Sequence, residues 1–188
     1  MKDDGLLRIL RAAEAAAQWH VGQRRKGAAQ EPYINHLLEV ARLVGEATGG
    51  GDANLVIAAL LHDAIEDCEI SGGAIEAEFG ADVRALVEAV TDDKELAKAV
   101  RKQAQIDRAP GKPQRAKLLK IADKTSNLRS MAASPPANWT VARRLDYVAW
   151  ARAVVAGARG SHAGLEAAFD AAAAAAEGAA TAASHTNG

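Results

Sequence analysis

The chain has 188 residues, with 23 Lys or Arg and 24 Asp or Glu, and a formal net charge of −1. That balance excludes a generally basic nucleic-acid coat and an acidic tail protein. The length suits one domain that buries a core without disulfide or metal staples, and a hydrophobic share of 49% argues against disorder. Because alanine is the best helix former, the alanine-rich stretches at residues 12–17 and 171–176 favour an all-α domain.

The predicted helices follow one another through the chain without a linker long enough to separate two domains. They cover residues 4–25, 34–47, 53–65, 71–79, 81–90, 94–108, 112–131, 139–159 and 161–177. No stretch alternates with period two, so we expect no sheet. The third helix, capped by Asp52, is apolar all round, which predicts a buried central position. Residues 1–177 are predicted to form the domain and residues 178–188 a disordered tail, since the tail lacks apolar periodicity.

The sequence shows no sign of export or membrane insertion. Its single cysteine, Cys68, cannot form an internal disulfide, which suits a reducing compartment. The N-terminus lacks the charged and apolar regions of a signal peptide. No apolar run approaches the ~20 residues that span a bilayer. We therefore expect a cytoplasmic protein without a membrane partner.

The strongest local signal is a charge-rich cluster at the end of the apolar third helix, where His62 and Asp63 precede Glu66 and Asp67. Uncompensated buried charge is costly, so the cluster requires a cation or access to solvent. Imidazole and carboxylate together suit a first-row transition ion better than calcium. An isolated His-Asp pair of this kind is more often a capped helix end with solvated acids.

Two further residues complete a ligand set. His36 lies near the start of the second helix, and Asp123 shares a helical stripe with Lys120 and Asn127. Alone, the first would be read as a packed histidine and the second as part of a solvated face. With His62 and Asp63 they supply two imidazoles and two carboxylates, a sensible set that leaves positions open for water and substrate.

Several longer sequence strings resemble the hydrolase domain of RelA/SpoT-type proteins, and their order and spacing match those of that family. They are Arg25-Lys26, Pro32-Tyr33-Ile34-Asn35-His36, Leu61-His62-Asp63-Ala64-Ile65-Glu66-Asp67, Val90-Thr91-Asp92-Asp93-Lys94, and the segment 116–128. The ending, Tyr147-Val148-Ala149-Trp150, is similar to that of stand-alone small alarmone hydrolases, the Mesh group. The resemblance covers residues 6–175, which leaves no room for a synthetase domain. It implies a single HD-domain helical bundle of about eight to ten helices.

The resemblance implies Mn²⁺-dependent hydrolysis of ppGpp or pppGpp to GDP or GTP and pyrophosphate. The implied ligands are His36, His62, Asp63 and Asp123, and the implied catalytic acids are Glu66 and Asp67. The implied contacts to nucleotide or phosphate are Arg25, Lys26, Lys98, Asn127, Arg143 and Tyr147. One departure is Leu37, where the family commonly has proline; since proline there mainly preorganises the helix start, we expect a loss of rigidity and no loss of the ligand.

The roles of the two acids stay open at this stage. Glu66 follows Asp63 by three residues on the same helical side, so we favour it for aligning or deprotonating the attacking water. Asp67 would orient that water or protonate the leaving ribose oxygen. Cys68 is assigned no catalytic role, since a free cysteine is usually a small apolar residue.

Recognition of the base rests on few aromatic residues. Arg25 is expected to stack on the purine, because guanidinium is planar. Tyr147 fits the core and the site equally well. The three tryptophans, Trp19, Trp139 and Trp150, are expected to be packing anchors.

Two other functions remain as alternatives. One is a related nucleotide phosphohydrolase, such as an NADPH 2′-phosphatase, because both substrates carry a terminal phosphate group on a purine ribose. The other is a non-catalytic nucleotide-binding helical module, although a degenerate member should have lost a ligand or the acidic pair. Nucleic-acid binding is not expected, given the charge balance and the absence of interleaved basic and aromatic residues. The sequence does not indicate an oligomeric state.

Overall fold

Ten helices make up the part of the chain that the computed structural model describes, residues 5–185. In chain order they are α1 Gly5–Trp19, α2 Ile34–Ala47, α3 Ala53–Leu61, α4 Ala64–Cys68, α5 Gly72–Phe79, α6 Ala81–Val90, α7 Lys98–Arg108, α8 Gln114–Ala133, α9 Val141–Ala156 and α10 Ala163–His185. Within residues 5–185, extended pairing is limited to one isolated bridge between Arg24 and Pro32. The predicted all-α class is confirmed.

Two helices, α3 and α8, form the centre of the bundle. Six of the nine residues of α3 are buried, as its all-round hydrophobicity predicts, and the helix packs against α1, α2, α6 and α8. Twelve of the twenty residues of α8 are buried, and this helix contacts α2, α6, α9 and α10. Since His62 and Asp63 directly follow α3 and Asp123 lies in α8, the core itself brings these candidate ligands together. None of the helices in residues 5–185 is long and apolar enough to cross a membrane.

A salt-bridge network fixes the start of α8 against α3. Arg115 donates two hydrogen bonds of 2.7 Å to the carboxylate of Asp52, whose side chain also caps α3 by accepting from the Leu55 amide. The same guanidinium bonds Asp82 at the start of α6. A bidentate arginine–carboxylate pair has a defined geometry, so this contact fixes the register of α8 relative to α3. The predicted cap at Asp52 is confirmed.

The predicted helix over residues 53–65 is wrong in its extent. It ends at Leu61, and α4 begins at Ala64 after the turn at His62 and Asp63. Asp63 adopts φ −99° and ψ 0°, and its carbonyl accepts the Asp67 amide at 2.8 Å. The turn changes the relative direction of the two side chains, because they no longer lie on one continuous helix.

The helices α1 and α7 are also shorter than predicted, because side chains of the segments next to them bind backbone carbonyls of α4. The first ends at Trp19 instead of residue 25, and Gln23 then donates its amide to the carbonyl of Asp67. The helix predicted from residue 94 begins at Lys98, because Lys94 donates to the carbonyl of Glu66. Both segments thus pack over α4.

The last helix is longer than predicted, and the disordered tail is a wrong prediction as far as His185. The helix α10 continues eight residues past residue 177, with Gly178 tolerated inside it. Ala180 is buried, so the extension contributes apolar contact that the sequence pattern alone did not reveal. Residues 186–188 of the predicted tail, like residues 1–4 with the predicted cap of the first helix, lie outside the described residues.

Candidate metal centre and active site

Four predicted ligands from three parts of the chain converge in the core. The Nε2 atom of His36, at the start of α2, lies 3.7 Å from Oδ2 of Asp63 and 3.5 Å from Oδ1 of Asp123, in the middle of α8. The Nε2 atom of His62 lies 3.2 Å and 3.8 Å from the same two oxygens. For His36, His62 and Asp123 the donor atoms all lie within 4.8 Å of one another. The arrangement is compact enough for one ion.

The donor atoms fit a divalent cation. The Nε2 atom of His62 is buried and makes no hydrogen bond, while its Nδ1 atom lies 2.8 Å from the carbonyl oxygen of Ala59. A carbonyl only accepts, so Nδ1 carries a hydrogen and Nε2 faces two carboxylates, where a metal ion can take the place of a proton. A buried lone pair among oxygens is costly without a partner, and a first-row transition ion would supply one.

Neighbouring residues hold both carboxylates in place. Tyr33 donates its hydroxyl to Oδ2 of Asp63 at 2.6 Å. Asp123 accepts from the amide of Asn127 at 2.6 Å and from the ammonium of Lys124 at 3.0 Å. Burial acts to raise the pKa of Asp123, but the charges of Lys124 and His62 hold it well below its usual value. The carboxylate is therefore ionised and oriented.

The pKa values of the two histidines shift in opposite directions. Burial lowers the pKa of His36 well below its usual value, and the guanidinium of Arg25 acts the same way. Burial also acts to lower the pKa of His62, but Asp63 and Asp123 outweigh it and raise the value to about 9. In the metal-free chain the carboxylates thus attract positive charge to the position between them, as a metal site requires.

The two predicted catalytic acids have different environments. Glu66 is partly buried, and its Oε1 accepts the Asp92 amide at 2.6 Å. Burial raises the pKa of Glu66, and the carboxylates of Asp92 and Asp63 add to that effect. Asp67 is exposed and pairs with Lys94 at 2.9 Å. Carboxyl groups in such different settings are suited to different roles in proton transfer.

A cavity of about 230 Å³ opens beside Asp67. Four predicted substrate residues line it, namely Arg25, Lys26, Asn127 and Tyr147. Asp67 and Tyr33 also line it, and Tyr33 bonds Asp63, so the cavity borders a residue that contacts a proposed ligand. A side chain at Gly27 would collide with the carbonyl oxygen of Ser134, so glycine allows these two lining residues to approach closely.

The remaining predicted substrate residues lie differently. Arg143 is exposed, with its guanidinium carbon 4.5 Å from the centre of the Trp139 ring, which does line the cavity. Lys98 is exposed at the start of α7 and does not line this cavity. Trp139 was expected to be a packing anchor, and it also forms part of the wall. Its ring and that of Trp150 flank Tyr147 at 5.6 Å and 5.3 Å between centroids.

The sequence interpretation missed the residues that support the ligands. Tyr33 has no predicted role, although its distance of three residues from His36 places both at the start of α2. Asn127 was assigned to substrate, while its amide bonds Asp123 and its carbonyl oxygen accepts from Arg25 at 2.8 Å. The four-residue spacing from Asp123 was the available signal.

The fold and the site together define a class: an all-α domain built around a divalent-metal centre, with acids and a basic cavity beside it. The HD domain family matches residues 12–153. The guanosine-3′,5′-bis(diphosphate) 3′-pyrophosphohydrolase MESH1 of Xenopus tropicalis is 46% identical over 170 residues, covering 90% of this chain and 94% of that protein. The human protein of the same name is 45% identical over 160 residues, covering 85% and 89%.

A solved structure supports the same family assignment. One described as a metazoan ortholog of SpoT that hydrolyzes ppGpp and plays a role in starvation responses superposes with a TM-score of 0.84 at 41% identity, covering 88% of this chain and 93% of that one. The chain therefore belongs to the HD-domain family, in the group that contains the MESH1 pyrophosphohydrolases.

Proposed function

We propose that this protein is a metal-dependent guanosine-3′,5′-bis(diphosphate) 3′-pyrophosphohydrolase. It converts ppGpp or pppGpp and water into GDP or GTP and pyrophosphate. The observation that carries the proposal is the convergence of two imidazoles and two carboxylates next to an acidic pair and a basic cavity. The activity named for the relatives, which match over most of both chains, supports this choice of substrate.

The ligands in this proposal are His36, His62, Asp63 and Asp123, and the ion is Mn²⁺. The mixed nitrogen and oxygen donors suit a first-row transition metal, and the resemblance to RelA/SpoT-type hydrolases favours Mn²⁺ among these ions. A bound divalent ion would neutralise phosphate charge and make water a better nucleophile near neutral pH.

Within the chain, Glu66 aligns the attacking water and takes its proton, because burial makes this carboxylate more basic than usual. Water adds to the 3′-phosphorus as the bond from that phosphorus to the ribose oxygen breaks. The ribose oxygen leaves with a proton, which exposed Asp67 is placed to deliver or to guide from solvent. Pyrophosphate and a free 3′-hydroxyl are the products.

Substrate binding rests on the cavity. Arg25 and Lys26 would neutralise the phosphates, and the planar Arg25 guanidinium, which lies 5.6 Å from the centre of the Tyr33 ring, would stack on the purine. Asn127 and Tyr147 complete the wall. Lys98 and Arg143 stay in the proposal as outer contacts to phosphate or nucleotide. We also propose a cytoplasmic location, because the only cysteine is unpaired and suits a reducing compartment.

An assay with purified protein tests the function directly. With ppGpp and Mn²⁺ we expect stoichiometric pyrophosphate and GDP, and no release after chelation with EDTA. NADPH in a parallel reaction serves as the competing substrate class, and free phosphate reports its hydrolysis. Intact ppGpp after prolonged incubation with metal-loaded protein would contradict the proposal.

A second prediction concerns pH and Lys120. This lysine is buried on α8, donates to the carbonyl of Val90 at 2.9 Å, and its charge acts to lower the pKa of Glu66. In Lys120→Met the carboxylate loses a favourable cation, so it stays protonated to higher pH. We expect the acidic limb of the kcat–pH profile at saturating Mn²⁺ to move upward.

The matched control is Lys112→Met. Lys112 donates to the neighbouring carbonyl of Ala89, but it is not among the main groups that shift the pKa of Glu66. Its acidic limb should coincide with that of the wild type. Identical limbs in all three proteins would exclude Glu66 as the group that sets the profile.

A further inference from the structure

A chain of hydrogen bonds lies behind His36, on the side away from the proposed ion. The Nδ1 atom of His36 is 2.9 Å from Oγ of Ser126, which donates to Oε2 of Glu39 at 2.7 Å. Arg129 in turn donates to Oε1 of Glu39 at 2.9 Å. His36 and Ser126 are buried, while Glu39 and Arg129 are partly exposed. These four residues connect α2 to α8.

The direction of each bond is determined by the chemistry of its members. Arg129 has only donors, and an ionised carboxylate has only acceptors. Hydrogen bonds from Arg129 and Ser126 outweigh partial burial and lower the pKa of Glu39, so the group is ionised. The single hydroxyl hydrogen of Ser126 is therefore committed to Glu39. Its oxygen then accepts from His36, which places the ring hydrogen on Nδ1.

The consequence is a lone pair on Nε2 of His36, facing Asp63 and Asp123. The other ligand histidine needs a shorter arrangement, because the carbonyl of Ala59 accepts from Nδ1 of His62 and so reserves Nε2 for the metal. A serine hydroxyl has no such fixed direction, since it donates and accepts equally well. Only the carboxylate behind it makes the direction definite.

We propose that Glu39, acting through Ser126, is a positioning residue that fixes His36 in the tautomer able to bind the metal. The inference rests on the metal site of the proposed function but not on the substrate. Partners of this kind for ligand histidines affect metal affinity by about 10–100-fold. Glu39 also borders a second cavity of about 210 Å³, which lies on the outer side of His36. A substitution there faces open space, so it leaves the core intact.

The substitution Glu39→Gln reverses the chain of bonds without changing its shape. Arg129 can only donate, so it retains the amide oxygen and turns the NH₂ group toward Ser126. The hydroxyl then accepts from the amide and donates to His36, which moves the ring hydrogen to Nε2. The matched control is Glu46→Gln, on the exposed side of the same helix, where Glu46 pairs with Arg42.

The tautomer is read from the imidazole nitrogen and carbon NMR shifts of the metal-free, full-length chain, without any activity measurement. We expect the hydrogen on Nδ1 of His36 in the wild type and in Glu46→Gln, and on Nε2 in Glu39→Gln. Mn²⁺ titration should give at least about tenfold weaker binding for Glu39→Gln alone. An unchanged tautomer in Glu39→Gln, or Mn²⁺ affinity equal to that of Glu46→Gln, would overturn the proposal.

A double-mutant cycle separates this route from a general structural effect. If Glu39 acts through Ser126, then Glu39→Gln weakens Mn²⁺ binding in the wild type but adds nothing in the Ser126→Ala background. Additive losses would mean that Glu39 acts by another route and would contradict the inference. A tautomer shift in a chain that fails to hydrolyse ppGpp would support the inference and refute only the substrate assignment.

Discussion

Glu66→Gln is expected to lower kcat for ppGpp hydrolysis by about 10²–10⁴-fold, the usual contribution of a general base, while the protein retains its metal. The amide keeps the shape of the side chain and an oxygen that can accept the Asp92 amide, so the local fold is preserved. What it loses is the ability to take a proton. The measurement is kcat at saturating substrate, with metal content determined on the same sample.

Two neighbouring substitutions make this result specific. Glu69→Gln removes an exposed carboxylate just beyond α4 and should leave kcat within about twofold of the wild type. Asp67→Asn should lower kcat less than Glu66→Gln, because exposed Asp67 can be replaced in part by solvent as a proton donor. A kcat for Glu66→Gln within tenfold of the wild type would exclude it as the base.

The convergence of the candidate ligands could be predicted because each of them lies in a short, unusual segment. His62 and Asp63 follow an apolar helix whose burial is evident from composition, and the structure confirms that burial. The extent of α2 was predicted correctly because its apolar positions recur at helical spacing. In these regions local pattern and tertiary packing favour the same structure.

The prediction was wrong where distant side chains determine the backbone. The segment after Trp19 reads as helix, yet Gln23 binds the carbonyl of Asp67, 44 residues away. The turn at His62 and Asp63 has no glycine or proline to mark it. Both features depend on partners that only the folded chain brings near, so periodicity could not reveal them.

The supporting residues were hidden for a similar reason. A serine and a glutamate 87 positions apart, Ser126 and Glu39, carry no joint signal in one sequence. Lys120 and Lys124 appear on a helix that reads as charged and solvated, but both are buried beside Asp123 and Glu66. The near-zero net charge therefore conceals a core in which acids and bases are paired around one site.

Substitution of a proposed ligand should also have a large effect, in this case on Mn²⁺ binding. His62→Ala and Asp63→Asn are each expected to weaken Mn²⁺ binding by more than the roughly 10–100-fold typical of supporting residues. In His62→Ala the ion loses a nitrogen ligand, and two carboxylates stay close together in the core without their imidazole. In Asp63→Asn the ion loses the charge of an oxygen that Tyr33 orients. Hydrolysis should fall with metal occupancy.

Elemental analysis of the purified variants measures this directly, with circular dichroism to confirm the helical fold. His162→Ala, at the start of α10, and Asp107→Asn, on exposed α7 surface, are the matched controls, and both should bind metal like the wild type. Restoring Mn²⁺ to millimolar concentration should recover part of the activity of Asp63→Asn, because its carbonyl oxygen can still coordinate. Metal content equal to that of the wild type in both ligand variants would show that the ion binds elsewhere. The assignment of the metal site to these residues would then be wrong.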